Sequence, residues 1–249
     1  MDHIAPVAFL TRPDGFKIAY RHVTGKRPTV VFLPGYASDM LGSKAQSLEN
    51  WAISHDHAFL RLDYSGCGES EGAFEDGTLD QWRDDALLVI NSIVMGPIIL
   101  IGSSMGGWLM LLIALAIPKT VLGLIGIAAA PDFTTWGFTP EEKVTILNHG
   151  SLSLKSDYEP EPMITTKGFW DSGAGNCLLG AEIPLDCPVR LLHGQSDPDV
   201  PWEISMRLSE QLRSANVPVH LIKDGDHRLS REQDIAILIS TLDHMLETQ

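Results

Sequence analysis

Long apolar runs, a cysteine framework and basic clusters are all missing from this sequence. The most apolar stretch, residues 97–130, is broken by Gly102, Gly106 and Gly107 and again by Pro118-Lys119. No uninterrupted run therefore reaches the roughly 20 residues that a membrane-spanning helix needs. Only three cysteines occur, Cys67, Cys177 and Cys187, without C-x-x-C spacing. This argues against a disulfide scaffold and a cysteine zinc site, and fits reduced thiols in a cytoplasm-like compartment. Lys and Arg total 18 against 32 Asp and Glu, a formal net charge of -14. Nucleic acid is not an expected partner, because phosphate binding needs clustered Lys and Arg, and an anionic membrane surface gains no attraction. The nine histidines show no H-x-x-x-H spacing, so neither a metal nor a cofactor is expected. The opening residues carry Asp2, His3 and Pro6 rather than a basic region and an apolar core. Neither a secretory signal nor an Arg-rich presequence is read there.

What is present is an alternation of short apolar runs with amphipathic stretches over 249 residues. Val7 to Leu10 and Phe16 to Val23 flank Pro13-Asp14-Gly15 and read as an edge hairpin. Buried strands are expected at 29–33, 58–62, 97–101, 121–128, 188–192 and 217–222. Helices are expected at 40–55, 79–94 (Thr78 as N-cap), 108–115, 203–213 and 229–246. That rhythm implies an α/β fold with a mostly parallel sheet of about eight strands covered on both faces. Between Pro131 and Asp186 the rhythm stops. The segment carries Phe133, Trp136, Phe138, Tyr158, Phe169, Trp170 and a helix start at Thr139-Pro140. A loop that long without structure is unusual, so the expectation is a core of residues 1–130 and 187–249 with a small helical lid at 131–186.

Three loops at the ends of expected strands carry chemistry. Gly102-Ser103-Ser104-Met105-Gly106 lies between an apolar strand and an apolar helix. This is the nucleophile elbow, in which small neighbours allow a sharp turn that exposes Ser104 at a helix N-terminus. Ser103 precedes the apex and is structural. A serine hydroxyl needs a base, and the base needs an orienting carboxylate. Downstream, the strand at 188–192 runs into His193-Gly194-Gln195-Ser196-Asp197-Pro198-Asp199, and the strand at 217–222 into Lys223-Asp224-Gly225-Asp226-His227. Asp197 is read as the acid, in preference to Asp199, and His227 as the base. His193, at its strand's end beside Gly194, is read as a hydrogen-bonded structural residue. The oxyanion donors are expected to be the N–H groups of Met105 and of Tyr36, which follows Gly35 after strand 29–33. Met40, Trp136, Phe138 and Trp170 are candidate lining for a substrate pocket, and Cys67 is a bystander thiol.

These motifs also carry a resemblance. Leu33-Pro34-Gly35-Tyr36, Asp63-Tyr64-Ser65-Gly66-Cys67-Gly68-Glu69-Ser70 and Gly102-Ser103-Ser104-Met105-Gly106-Gly107-Trp108-Leu109-Met110 recur in order with Arg190-Leu191-Leu192-His193-Gly194, Val200-Pro201-Trp202 and Asp226-His227-Arg228. From about residue 28 onward the chain resembles the α/β-hydrolase-domain-containing protein 10 group of palmitoyl-protein thioesterases and acyl-glucuronide esterases, and its bacterial relatives. The resemblance implies the α/β-hydrolase fold, the nucleophile Ser104, the acid Asp197, the base His227, and hydrolysis of acyl esters or thioesters on a small-molecule or acylated substrate. Because the first strand starts almost at once, a cytoplasmic protein is expected, or a mitochondrial-matrix one if processed. Two other readings stay open at this point: a C–C bond hydrolase on the same fold, and a non-catalytic binding protein.

Overall fold

The protein is described by a computed structural model over residues 5–154 and 162–248. Tyr158 and residues 1–4 of the opening stretch lie outside those residues. The elements in chain order are β1 (Val7–Thr11), β2 (Lys17–Val23), β3 (Lys26–Leu33), α1 (Ser43–Ser54), β4 (His57–Leu62), α2 (Leu79–Ile93), β5 (Ile98–Ser103), α3 (Met105–Ala116) and β6 (Val121–Ile127). They continue with α4 (Phe133–Trp136), α5 (Pro140–His149), β7 (Ser151–Leu154), β8 (Met163–Thr166), α6 (Lys167–Gly175), β9 (Val189–Gly194), α7 (Glu203–Gln211), β10 (Val219–Ile222) and α8 (Glu232–Glu247).

Eight strands form one sheet in the order β1-β2-β4-β3-β5-β6-β9-β10. β1 and β2 are antiparallel to their neighbours, and every pairing from β4 to β10 is parallel. Because side chains alternate across a strand, each interior strand must be apolar on both faces. In β5, Ile98 and Leu100 join the core beneath α2 and α3, while Ile99 and Ile101 join the core beneath α1 and α8. The wholly buried pair Glu49–Arg61 ties α1 to β4. Removing one member of such a pair typically costs about 3–5 kcal/mol.

Helix limits follow local chemistry. Thr78 caps α2 by accepting from the Gln81 N–H at 3.1 Å, and Thr139 caps α5 with Glu142 returning the bond. The last helix begins at Glu232 rather than Leu229, because Leu229 has a φ of +43° and its N–H is held by Asp226. Likewise α7 stops at Gln211, where the carbonyl of Gln211 and the N–H of Arg213 are taken by Ile183.

The segment 131–186 differs from the helical reading. Besides α4, α5 and α6 it holds a two-stranded antiparallel sheet of β7 and β8, whose register runs from Ser151↔Thr166 to Leu154↔Met163. The segment is bound to the rest of the chain through polar side chains. The Trp108 indole donates to the Asn176 carbonyl at 3.0 Å, and Asp80 accepts from Ser172 and Asn176. Asp132 accepts from the N–H groups of Leu178 and Leu179, each at 2.7 Å.

Candidate active site

Ser104 stands between β5 and α3 with φ +55° and ψ −120°, a conformation a side chain other than glycine rarely adopts. Three backbone bonds hold it there. Its N–H donates to Ile127 at 2.9 Å, and its carbonyl accepts from Gly107 at 2.9 Å and Ala130 at 3.0 Å. Strain of this kind persists only where the surroundings over-determine it. The elbow also needs close backbone approach: a Cβ on Gly102 would lie 2.3 Å from the Gly106 carbonyl oxygen, and one on Gly106 would lie 2.1 Å from that of Leu33. Both contacts are with backbone, so neither alanine fits.

The loops after β9 and β10 are stitched together beside it. The N–H of Gln195 donates to Ile222 at 2.8 Å, and that of Ser196 to Gly225 at 2.9 Å. These bonds bring the three sequence-distant side chains into one line. His227 Nε2 is 3.1 Å from Ser104 Oγ, and His227 Nδ1 is 2.9 Å from Asp197 Oδ2. The Asp197 carboxylate is almost fully covered, while the His227 ring keeps 16% of its surface exposed. Asp197 Oδ1 also accepts the N–H groups of Asp199 and Val200, each at 2.9 Å. Burial alone would raise this carboxyl's pKa, but the hydrogen bonds from His193, His227 and Val200 outweigh it and hold it well below the ordinary carboxylate range. The expected acid is thus the residue placed on the imidazole. Asp199 is exposed next to it.

Of the donors expected for an oxyanion, Met105 directly follows the serine and Tyr36 follows Gly35, which passes beside it. Met105 opens α3, so its N–H is one of those a helix leaves without an internal acceptor. The loop after β3 passes close by, and a Cβ on Gly35 would stand 3.4 Å from Ser104 Cβ. Among the described residues, no backbone acceptor takes the N–H of the next residue, Tyr36.

Of the four expected pocket residues, Phe138 and Trp170 meet edge to face with ring centroids 5.3 Å apart. Trp136 is half-buried, and its indole donates to the Pro131 carbonyl at 2.9 Å. Met40 has no exposed surface; its N–H donates to Asp63 and its carbonyl accepts from Arg61. Two surface cavities of about 200 and 480 Å³ lie instead around Arg12, Asp14 and Gln81, and Ser104, Asp197 and His227 line neither. Ligand atoms of Asp197, Asp199 and His227 come within 4.8 Å of one another. The four hydrogen bonds described above already occupy Asp197 and His227, so the cluster coincides with the candidate site.

Three further residues support it and are hard to find in a linear sequence. Lys44 Nζ donates to the Arg228 carbonyl and so anchors the His227 loop to α1. Burial depresses its pKa to about 8. Buried His193 and Ser205 bond each other at 2.7 Å beside Asp197. Only the Gly194 next to His193 hinted at such a place.

The alpha/beta hydrolase family model matches residues 30–238. The chain belongs to the alpha/beta hydrolase family. Palmitoyl-protein thioesterase ABHD10, mitochondrial, from Homo sapiens is 42% identical over 245 residues, covering 97% of this chain and 80% of that protein. Among solved structures, mouse alpha/beta hydrolase domain-containing protein 10 superposes with a TM-score of 0.92 at 41% identity, covering 98% and 99% of the two chains. A putative hydrolase from Agrobacterium vitis S4 gives 0.91 at 36% identity, covering 97% and 98%. This alpha/beta hydrolase is accordingly an enzyme with the family's eight-stranded sheet. Among the described residues, no helix is long and apolar enough to cross a membrane.

Proposed function

We propose that this alpha/beta hydrolase cleaves carboxylic esters and thioesters through an acyl-enzyme on Ser104. The observation that carries the reading is the unbroken chain Ser104 Oγ, His227 Nε2, His227 Nδ1, Asp197 Oδ2 at 3.1 and 2.9 Å. Asp197 is an acceptor at both oxygens, so the hydrogen on Nδ1 belongs to the imidazole, leaving Nε2 free to take the serine proton. Ser104 Oγ then attacks the acyl carbon. The developing oxyanion is met by the N–H groups of Met105 and Tyr36, and the positive end of α3 favours the same charge. Collapse expels the alcohol or thiol, which recovers its proton from His227. Water, deprotonated by the same ring, releases the acid and restores Ser104. A positioned general base contributes about 10²–10⁴-fold and each oxyanion donor about 10²–10³-fold. No metal or cofactor is needed for any of these steps.

The human relative's name specifies a palmitoyl-protein thioesterase, which supports a long acyl chain and a thiol leaving group here. In this reading, residues 131–186 act as the lid over a core of 1–130 and 187–249. The half-buried Trp136, Phe138 and Trp170 face the acyl chain. The substrate is a small acyl compound or an acylated partner. The free cysteines Cys67, Cys177 and Cys187 fit a reducing cytoplasmic or matrix location. The test is a series of chromogenic acyl esters and acyl thioesters of increasing chain length, run beside a vinylogous diketone. Turnover of the acyl compounds but not the diketone is expected. Failure on every ester and thioester would refute the reading.

A further inference from the structure

His193 is the wholly buried penultimate residue of β9, and its ring is bonded at both nitrogens. Nε2 is 2.9 Å from the Val200 carbonyl oxygen and 3.3 Å from Asp197 Oδ2. Both of those atoms can only accept, so Nε2 carries a hydrogen, aimed at Val200 with Asp197 as the longer arm. Nδ1 is 2.7 Å from Ser205 Oγ on α7, which is itself buried. With the Nε2 hydrogen set by those two acceptors, Nδ1 of that tautomer accepts from the Ser205 hydroxyl, which turns to suit it.

The consequence lies in what Val200 does. Its carbonyl is held by His193 while its N–H donates to Asp197 Oδ1 at 2.9 Å. His193 therefore grips the residue that grips one carboxylate oxygen, and it lies within 3.3 Å of the other oxygen, the one that accepts His227 Nδ1–H. We propose that His193, held by Ser205, is a positioning residue for the hydrolytic reaction: it locks the Asp197 carboxylate in the orientation His227 requires and shares the negative charge that His227 feels. The proposal rests on the Ser104 acyl-enzyme reading. Any buried histidine needs partners at its ring nitrogens; what goes beyond that need is the approach of Nε2 to Oδ2, the oxygen that His227 uses.

The charge-sharing part has a defined sign. A neutral N–H near Oδ2 lowers the carboxylate's hold on the imidazolium form of His227. Removing it strengthens that hold, so the acidic limb of the activity profile moves to higher pH. Other charged groups around the pair are Asp199 on the acid loop, Asp226 and Arg228 on the base loop, and Lys44 from α1. None of these is altered by the variants below.

The experiment compares wild type, His193→Leu, His193→Gln and Ser205→Ala by ester hydrolysis across pH, with thermal melts of each. His193→Leu is expected to lose about tenfold in kcat at unchanged KM, with the acidic limb shifted upward. His193→Gln, which keeps a donor near Nε2, should recover most of both. Ser205→Ala should shift the limb the same way by less, and it carries the test if His193→Leu does not fold. Folded variants with lowered melting temperature but wild-type kcat and an unmoved limb would overturn the proposal. An inactive wild type would refute the hydrolase reading instead, which separates the two failures.

Discussion

The Tyr36 hydroxyl donates to the Ile164 carbonyl at 2.8 Å, joining the loop after β3 to strand β8 of the 131–186 segment across 128 residues of sequence. Its ring packs against Phe74, Trp82, Phe133 and Phe169 with centroids 4.8–5.8 Å apart. Tyr36 thus follows the glycine that passes beside Ser104, and its side chain fastens that loop to residues 131–186.

The two roles of Tyr36 separate in Tyr36→Phe. That variant keeps the amide and loses the hydroxyl, leaving the Ile164 carbonyl without its donor. A stability loss of about 1 kcal/mol is expected, or roughly 2–4 °C in melting temperature, with kcat within about threefold of wild type. A kcat loss above tenfold with an unchanged melt would assign the phenol, not the amide, to the chemistry.

Asp197→Asn keeps the shape of the acid and removes its charge. The amide then offers a donor toward His227 Nδ1, which favours the wrong imidazole tautomer and leaves the imidazolium unsupported. The kcat should fall by about 10³–10⁴-fold with little change in KM. Steady-state kinetics on a short-chain ester reads this, and a loss below tenfold would contradict the role given to Asp197.

Asp63 carries a pH signature of opposite kind. It is wholly buried at the end of β4, where burial pushes its pKa up to about 6 against the bonds from Glu69 and Met40. Between about pH 4 and 6 the folded chain keeps a proton that the unfolded chain has released. Its contribution therefore falls as pH rises through that window, by about 3 kcal/mol for a shift of about two units. Burial raises Asp85 and Asp132 in the same direction. Urea midpoints measured over this range should fall less steeply for Asp63→Asn than for wild type; equal slopes would refute the assignment.

The parallel core was legible because buried strands and amphipathic helices have distinct periods, and β5, α3 and α2 lie where those periods place them. Ser104, Asp197 and His227 were legible because each follows an apolar strand in a turn-rich loop. The boundaries that moved did so for tertiary reasons: Ile183 takes the backbone of α7's last turn, and Asp226 holds Leu229 out of α8. Strands β7 and β8 are four residues each. Too short to show a decisive period, they are defined by one another, although Ser151-Leu152-Ser153-Leu154 does alternate. His193 was legible as a hydrogen-bonded residue at a strand end, but not its partners, because Val200 and Ser205 are contributed by a loop and a helix whose approach no local pattern encodes.

The most direct test of the Ser104 reading is labelling with a fluorophosphonate, which needs an activated serine and an oxyanion site but no particular acyl group. Wild type should be labelled on the single peptide bearing Ser104, and Ser104→Ala should take up no label. A wild type that stays unlabelled, or a Ser104→Ala variant labelled as fast as wild type, would contradict the account.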